Sequence, residues 1–149
     1  MFSTALTLSD LGFLAKGAGM TLAVTGVSVA AGTILGVIFG VIRSQVGPYW
    51  ALPQTFFLDI FRSVPLLIQL VLANSFQAII GFGWGPFTTS CVVLSLYTAA
   101  YCTEIVRGGI DSVPVTTRRA ARSLGMTWGQ DMRYIVAPLA TRVSLPSWI

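Results

Sequence analysis

The sequence contains no histidine, few charges and only two cysteines, and each shortage removes a class of function. Without histidine, the usual near-neutral proton shuttle and the commonest metal ligand are both missing. Cys91 and Cys102 have no metal-ligand spacing and lie in an apolar segment, so they read as two buried reduced thiols. No glycine loop ends in Lys-Ser/Thr to cradle a phosphate, and no carboxylates cluster, so no catalytic residue, metal site or cofactor is assigned. Charged residues make up 9% of the 149 residues, against roughly 25% in soluble domains, too few to cover a water-facing surface.

What the chain has is apolar length: 54% of residues are hydrophobic. Gly17–Ile42 carries no charge over about 26 residues, where about 20 span the hydrocarbon of a bilayer. Ser63–Thr103 is uncharged over about 41 residues, the length of two crossings, and Gly81-Phe82-Gly83-Trp84-Gly85-Pro86 supplies the break. The expected spans are 17–42, 55–80 and 86–106, within a single domain over 1–149. Residues 1–16 read as an interfacial helix or lead-in, with no evident cleavable signal peptide. Arg43–Pro53 reads as a loop, with Tyr49 and Trp50 in the headgroup layer.

The charge that exists is uneven. Up to Val106, Lys16, Arg43 and Arg62 balance Asp10, Asp59 and Glu104; from Arg107 onward six arginines face Asp111 and Asp131, which accounts for the whole net +4. A basic cluster can bind nucleic acid, but after long apolar spans the positive-inside rule accounts for it with fewer assumptions, and no nucleic-acid partner is expected. The arginines place the C-terminal side in the cytoplasm, and three crossings then put Met1 outside.

Several groups are candidates for work. Ser28, Gly32, Gly36 and Gly40 recur every fourth residue, a smooth stripe for helix packing within the protein, with a copy of itself, or along a sliding surface. Asp59 with Arg62, and Glu104 with Arg107, have the i,i+3 spacing of ion pairs and serve as clamps or functional groups. Gln69, Asn74 and Gln77 are candidates for a polar translocation path or for interhelical hydrogen bonds. Gly108-Gly109 should loosen the third span's end. Asp111 or Ser112 should then cap a helix with Pro114 in its first turn, running to Leu124 and stopped by a left-handed Gly125. Thr127 and Gln130 have capping-box spacing for a second helix, which Pro138 should end or kink. Leu139–Ile149 follows without an evident stop. On the short helix, Arg118, Arg119 and Arg122 should share a face, beside a small apolar surface of Ala120, Ala121 and Leu124. That form suits a groove on a cytoplasmic partner, or anionic headgroups.

Arg119-Ala120-Ala121, three residues, Gly125, nine residues, Ile135, one residue and Ala137-Pro138 resembles the EAA loop of ABC importer permeases. Tyr101–Ile110 is similar to the segment leading into that loop in the polar amino-acid (histidine, glutamine and arginine type) permeases, and Phe61–Leu70 to that subfamily's second-helix signature. The resemblance implies an all-α, polytopic transmembrane bundle like a type I importer permease. It has three spans, a cytoplasmic coupling loop at 112–138 and the start of a fourth span, in a bacterial inner membrane. It also implies a permease subunit of an ATP-driven amino-acid importer, not itself an enzyme. The implied partners are ABC ATPase subunits, a second permease subunit (identical or a paralogue), a periplasmic or lipid-anchored substrate-binding protein, and the bilayer. Pro114, Arg118, Arg119, Ala120, Ala121, Arg122, Gly125, Ile135 and Pro138 become the ATPase-coupling residues. Arg119 replaces the family's usual Glu, and Thr116-Thr117 its frequent Gly-Gln, so docking charge should differ. The family continues for two further spans, so a chain cut short, unable to complete a pore alone, is expected. The alternative is a truncated, non-transporting subunit that only packs with a complete permease.

Overall fold

The computed structural model describes residues 8–46 and 48–149, with side chains from 10–46 and 52–149; Met1–Thr7 and Gly47 lie outside the described residues, as do the Tyr49 and Trp50 side chains. The described residues form helices and short connections: α1 (Leu8–Gln45), α2 (Pro48–Ser63), α3 (Leu66–Ile80), α4 (Pro86–Asp111), α5 (Val115–Ser123), α6 (Trp128–Asp131), a π-helical turn (Met132–Val136) and α7 (Ala137–Trp148).

α1 and α4 are long and apolar enough to cross a bilayer; α2 and α3 meet that condition only as a pair, bent by 103°. Leu22, Ile34, Phe56, Leu67 and Ile79 are all more than 60% exposed. An apolar belt of that extent belongs in lipid rather than water.

α1 and α4 pack along the small-residue stripe. A Cβ added to Gly32 would lie 2.5 Å from Thr98 Cβ and 2.7 Å from the Ser95 carbonyl oxygen, and one on Gly40 would lie 2.8 Å from Val106 Cβ. Gly36 faces Cys102 in the same way. Ser28 Oγ donates to the Cys91 carbonyl at 3.4 Å. Residue numbers rise together along this seam, so the two helices run parallel and their C-terminal ends lie at the same end of the bundle. α2 and α3 must therefore return the chain. α7 runs antiparallel to α4: Ala140 approaches Gly109, and Ser144 Oγ donates to the Ile105 carbonyl at 3.3 Å. Ile110, Val113, Val136 and Ala140 form the buried apolar cluster where α4, the π turn and α7 converge.

Several sequence expectations are corrected. The segment before residue 17 is no separate interfacial element from Leu8 on; it is the first part of α1, whose glycines cost helix propensity without breaking it. Most of the loop expected at Arg43–Pro53 is helical: α1 runs to Gln45 and α2 begins at Pro48, because proline can open a helix, where its missing N–H is not needed. The single helix expected at 55–80 is broken at Val64-Pro65. Pro65 has no N–H for the Phe61 carbonyl, and the Gln69 side-chain amide takes that role, donating to Phe61 O at 2.6 Å and Val64 O at 2.7 Å. α4 does not loosen at Gly108-Gly109 but runs on to Asp111; Gly109 is needed because α7 passes against it. Asp111 and Ser112 do not cap α5. Ser112 closes α4, its Oγ donating to Gly109 O at 2.7 Å, and Pro114 itself is the residue preceding α5. Pro138 does not end the last helix: the π turn just before it absorbs the proline, and α7 continues to Trp148.

Candidate functional site

The arginine-rich end of the bundle holds two charged assemblies and one exposed helix. The first assembly centres on Glu104. Its carboxylate accepts from Arg43 of α1, and lies 3.6 Å from Arg62 Nη1 of α2 and 3.7 Å from Arg107 Nε of α4. Arg62 also reaches Asp59 at 3.6 Å and sits 5.5 Å from the Tyr101 ring centroid, and Arg107 reaches Asp111 at 4.0 Å. One carboxylate thus ties three helices. The i,i+3 spacings made the Asp59–Arg62 and Glu104–Arg107 pairs legible. Arg43, buried and 61 residues distant in the chain from Glu104, gave no such signal.

α5 stands beyond this hub. Pro114 precedes it with extended backbone, its carbonyl accepting from Thr117 and Arg118. Gly125, at φ +78°, lets the chain reverse: its N–H donates to Arg122 O at 3.0 Å and the Met126 N–H to Ala121 O at 3.2 Å, a Schellman closure. α6 follows through a capping box, with the Thr127 N–H donating to Gln130 Oε1 at 2.8 Å. Trp128 Nε1 donates to Gln45 Oε1 at 2.8 Å, fastening α6 to the end of α1.

The arginines of α5 do not share one face. Arg118 turns inward, its Nε 3.6 Å from Asp131 Oδ2, while Arg119 and Arg122 are exposed. Ala121 is 2% exposed and packs inward, so it belongs to the seat of α5 rather than to its outer surface. The outward apolar groups are Ala120, Val115 and Leu124, the last 83% exposed. Ile135 is half-buried in the π turn and Pro138 is exposed on α7. Asp131, 1% exposed, escaped the sequence reading beyond its charge, because nothing in its neighbours along the chain marks it for burial.

Of the three amides of the second apolar stretch, Gln69 stands apart from the other two. Gln69 is occupied by the backbone at the α2–α3 bend. Gln77 Nε2 donates to Asn74 Oδ1 at 3.3 Å, and Asn74 lines a cleft of about 290 Å³ between α3 and α4 with Ser75, Thr89 and Ser90.

The sequence model of the family described as binding-protein-dependent transport system inner membrane component matches residues 7–149. The chain is 33% identical to the probable amino-acid ABC transporter permease protein YckA of Bacillus subtilis, over 98% of its own length and 65% of that protein's. It is 35% identical to the arginine transport system permease protein ArgU of Corynebacterium glutamicum, over 89% of its own length and 46% of that protein's. The chain therefore spans less than two thirds of the length of either relative. Among solved structures, the crystal structure of an amino acid ABC transporter with histidines superposes with a TM-score of 0.79 at 30% identity, covering 97% of this chain and 69% of that one.

Proposed function

The chain belongs to the family of binding-protein-dependent transport system inner membrane components, and from that premise we propose that it is a permease subunit of an ATP-driven amino-acid importer, coupled to a separate ATPase through α5. The observation that carries the coupling role is the placement of α5. It is a nine-residue helix at the arginine-rich end, seated by Ala121 and offering Leu124, Val115, Ala120, Arg119 and Arg122 outward. Apolar side chains that exposed, beside two exposed guanidinium groups, form a surface suited to a groove lined by apolar and acidic groups.

The parallel course of α1 and α4 supports three crossings. Gln54 of α2 donates to the Phe39 carbonyl and Arg62 reaches Glu104, so α2 stays near the arginine-rich end. α3, whose Leu70, Val71 and Asn74 share a cleft with Pro86, makes the return. With the arginines inside, the N-terminus is outside and the 112–138 loop is cytoplasmic. α7 begins a fourth crossing. The partners are ATPase subunits, a second permease subunit and a substrate-binding protein that delivers the amino acid from the outer side. YckA, ArgU and the histidine-containing transporter support an amino acid as cargo. The cleft that Asn74 lines between α3 and α4, with Gln77 as its hydrogen-bond partner, supports Asn74 as the amide that meets the cargo.

Replacement of exposed residues tests the docking role without disturbing the seat of α5. In cells carrying the complete importer, Ala120→Trp and Leu124→Asp should abolish both co-purification of the ATPase and uptake of labelled arginine, glutamine and histidine, with unchanged amounts of permease in the membrane. Full co-purification and uptake in both variants would overturn the proposal.

A further inference from the structure

Asp131 is a carboxylate buried to 1% exposure, and neither of its oxygens has a hydrogen-bond donor among the described residues. Its one ion-pair partner there is Arg118, at 3.6 Å, and the Arg118 Nε is itself buried and without a hydrogen bond. A charge held this deep is tolerated only while its counter-charge stays in place; removing one member leaves the other stranded in a low-dielectric surround.

The two residues belong to parts with different footing. α6, which ends at Asp131, is well anchored: the capping box closes its start, Trp128 bonds Gln45 of α1, and the π turn behind it enters the core through Val136. α5 is joined to the rest by Val113 before it, by the buried Ala121 and by the Arg118–Asp131 pair. Its contacts lie mainly on α6 and the π turn. Ala121 offers one methyl group, smooth enough to allow α5 to roll about its own axis. The ion pair resists that roll, because turning Arg118 outward would abandon Asp131.

We propose that Asp131 is a positioning residue that acts through Arg118: the buried pair sets the rotation of α5 on α6 and so decides which face, Arg119 and Arg122 with Leu124, is turned outward. The inference rests on the coupling role proposed for α5 only for its consequence in transport; the geometry itself can be tested without any ATPase. Neutralising Asp131 frees Arg118 to seek water and lets α5 roll. Docking then samples several faces, and the partner's stroke is transmitted less tightly.

The direct measurement is a pulsed electron-resonance distance between spin labels at Ile42→Cys on α1 and Ser123→Cys on α5, in the full chain in lipid nanodiscs, with Cys91 and Cys102 replaced by serine. The parent should give one narrow peak. Asp131→Asn should lose that peak to a broad distribution, and Arg118→Lys, which keeps the charge, should retain it. Arg118→Met/Asp131→Asn removes both buried charges and their penalty, so it keeps the fold available for measurement; it too should be broad. A narrow, unshifted peak in either neutralised variant would overturn the proposal. Trypsin cleavage after Arg119 in isolated membranes gives a reading without purification: Asp131→Asn should accelerate it severalfold, and an unchanged rate would count equally against the idea. In the assembled importer, Asp131→Asn should lower substrate moved per ATP hydrolysed while the ATPase still co-purifies. If Ala120→Trp leaves ATPase binding intact, docking through α5 fails, whereas the label distances still decide the role of Asp131.

Discussion

Individual residues here act mostly by being small, charged or conformationally permissive at one place. Gly36 allows the α1 backbone to meet Cys102 of α4, and Gly32 meets Thr98 and Ser95 one turn earlier. Gly32→Leu should separate the helices and lower stability by about 1–3 kcal/mol, the usual cost of overpacking, read as a drop in the melting temperature of the detergent-solubilised protein. Arg43 is buried against Glu104. Arg43→Met leaves that carboxylate with only the more distant Arg62 and Arg107, and should cost about 3–5 kcal/mol in the same assay. A loss below that of Gly32→Leu would show that the two remaining arginines suffice. These roles were unevenly legible. The four-residue recurrence of Ser28, Gly32, Gly36 and Gly40 is local and visible in the chain, whereas the partnership of Arg43 with Glu104 joins residues with no sequence relation.

At the scale of elements, breaks are decided by which backbone groups find partners. Pro65 removes a donor, and the Gln69 amide supplies one to the part-buried carbonyls of Phe61 and Val64. Gln69→Leu should leave both unsatisfied at the bend and cost about 1–3 kcal/mol per group that water cannot reach. Hydrogen exchange at the α2–α3 junction should rise, and unchanged protection would exclude the cap. Gly125, at φ +78°, occupies backbone that β-branched residues adopt poorly. Gly125→Val should cost about 1–2 kcal/mol and loosen the Schellman closure, read as faster proteolysis between α5 and α6. The helix stop at Gly125 and the Thr127–Gln130 box were readable because both depend on residues within a turn. Whether Pro48, Pro65 and Pro138 open, break or merely bend a helix was not readable. The outcome depends on a cap from Gln69 in one case and a π turn in another, and proline alone specifies neither.

For the molecule as a whole, the seam between α1 and α4 fixes the topology. Because these helices are parallel, α2 and α3 return the chain to the start of α4, which is a further crossing in the proposed arrangement, and α7 starts back along α4. A membrane-impermeant maleimide should therefore label Phe82→Cys, in the turn before α4, from the outer face of intact cells. Ser123→Cys on α5 should label only after the cytoplasmic face is opened. Labelling of both from one side would remove the three-crossing arrangement and with it the cytoplasmic coupling role of α5.

Apolar length, charge asymmetry and local capping patterns lay in the amino-acid order, because each depends on composition or on neighbours within a turn. They determined an all-helical membrane chain with an arginine-rich loop of permease type. Tertiary structure alone decided that Arg118 turns inward to a buried Asp131, that Ala121 is buried beneath α5, that Gln69 serves a bend, and that Glu104 gathers arginines from three helices. Those outcomes turn on which distant groups share a space without water, and the energy of a charge or an amide is set by that surround rather than by its place in the chain.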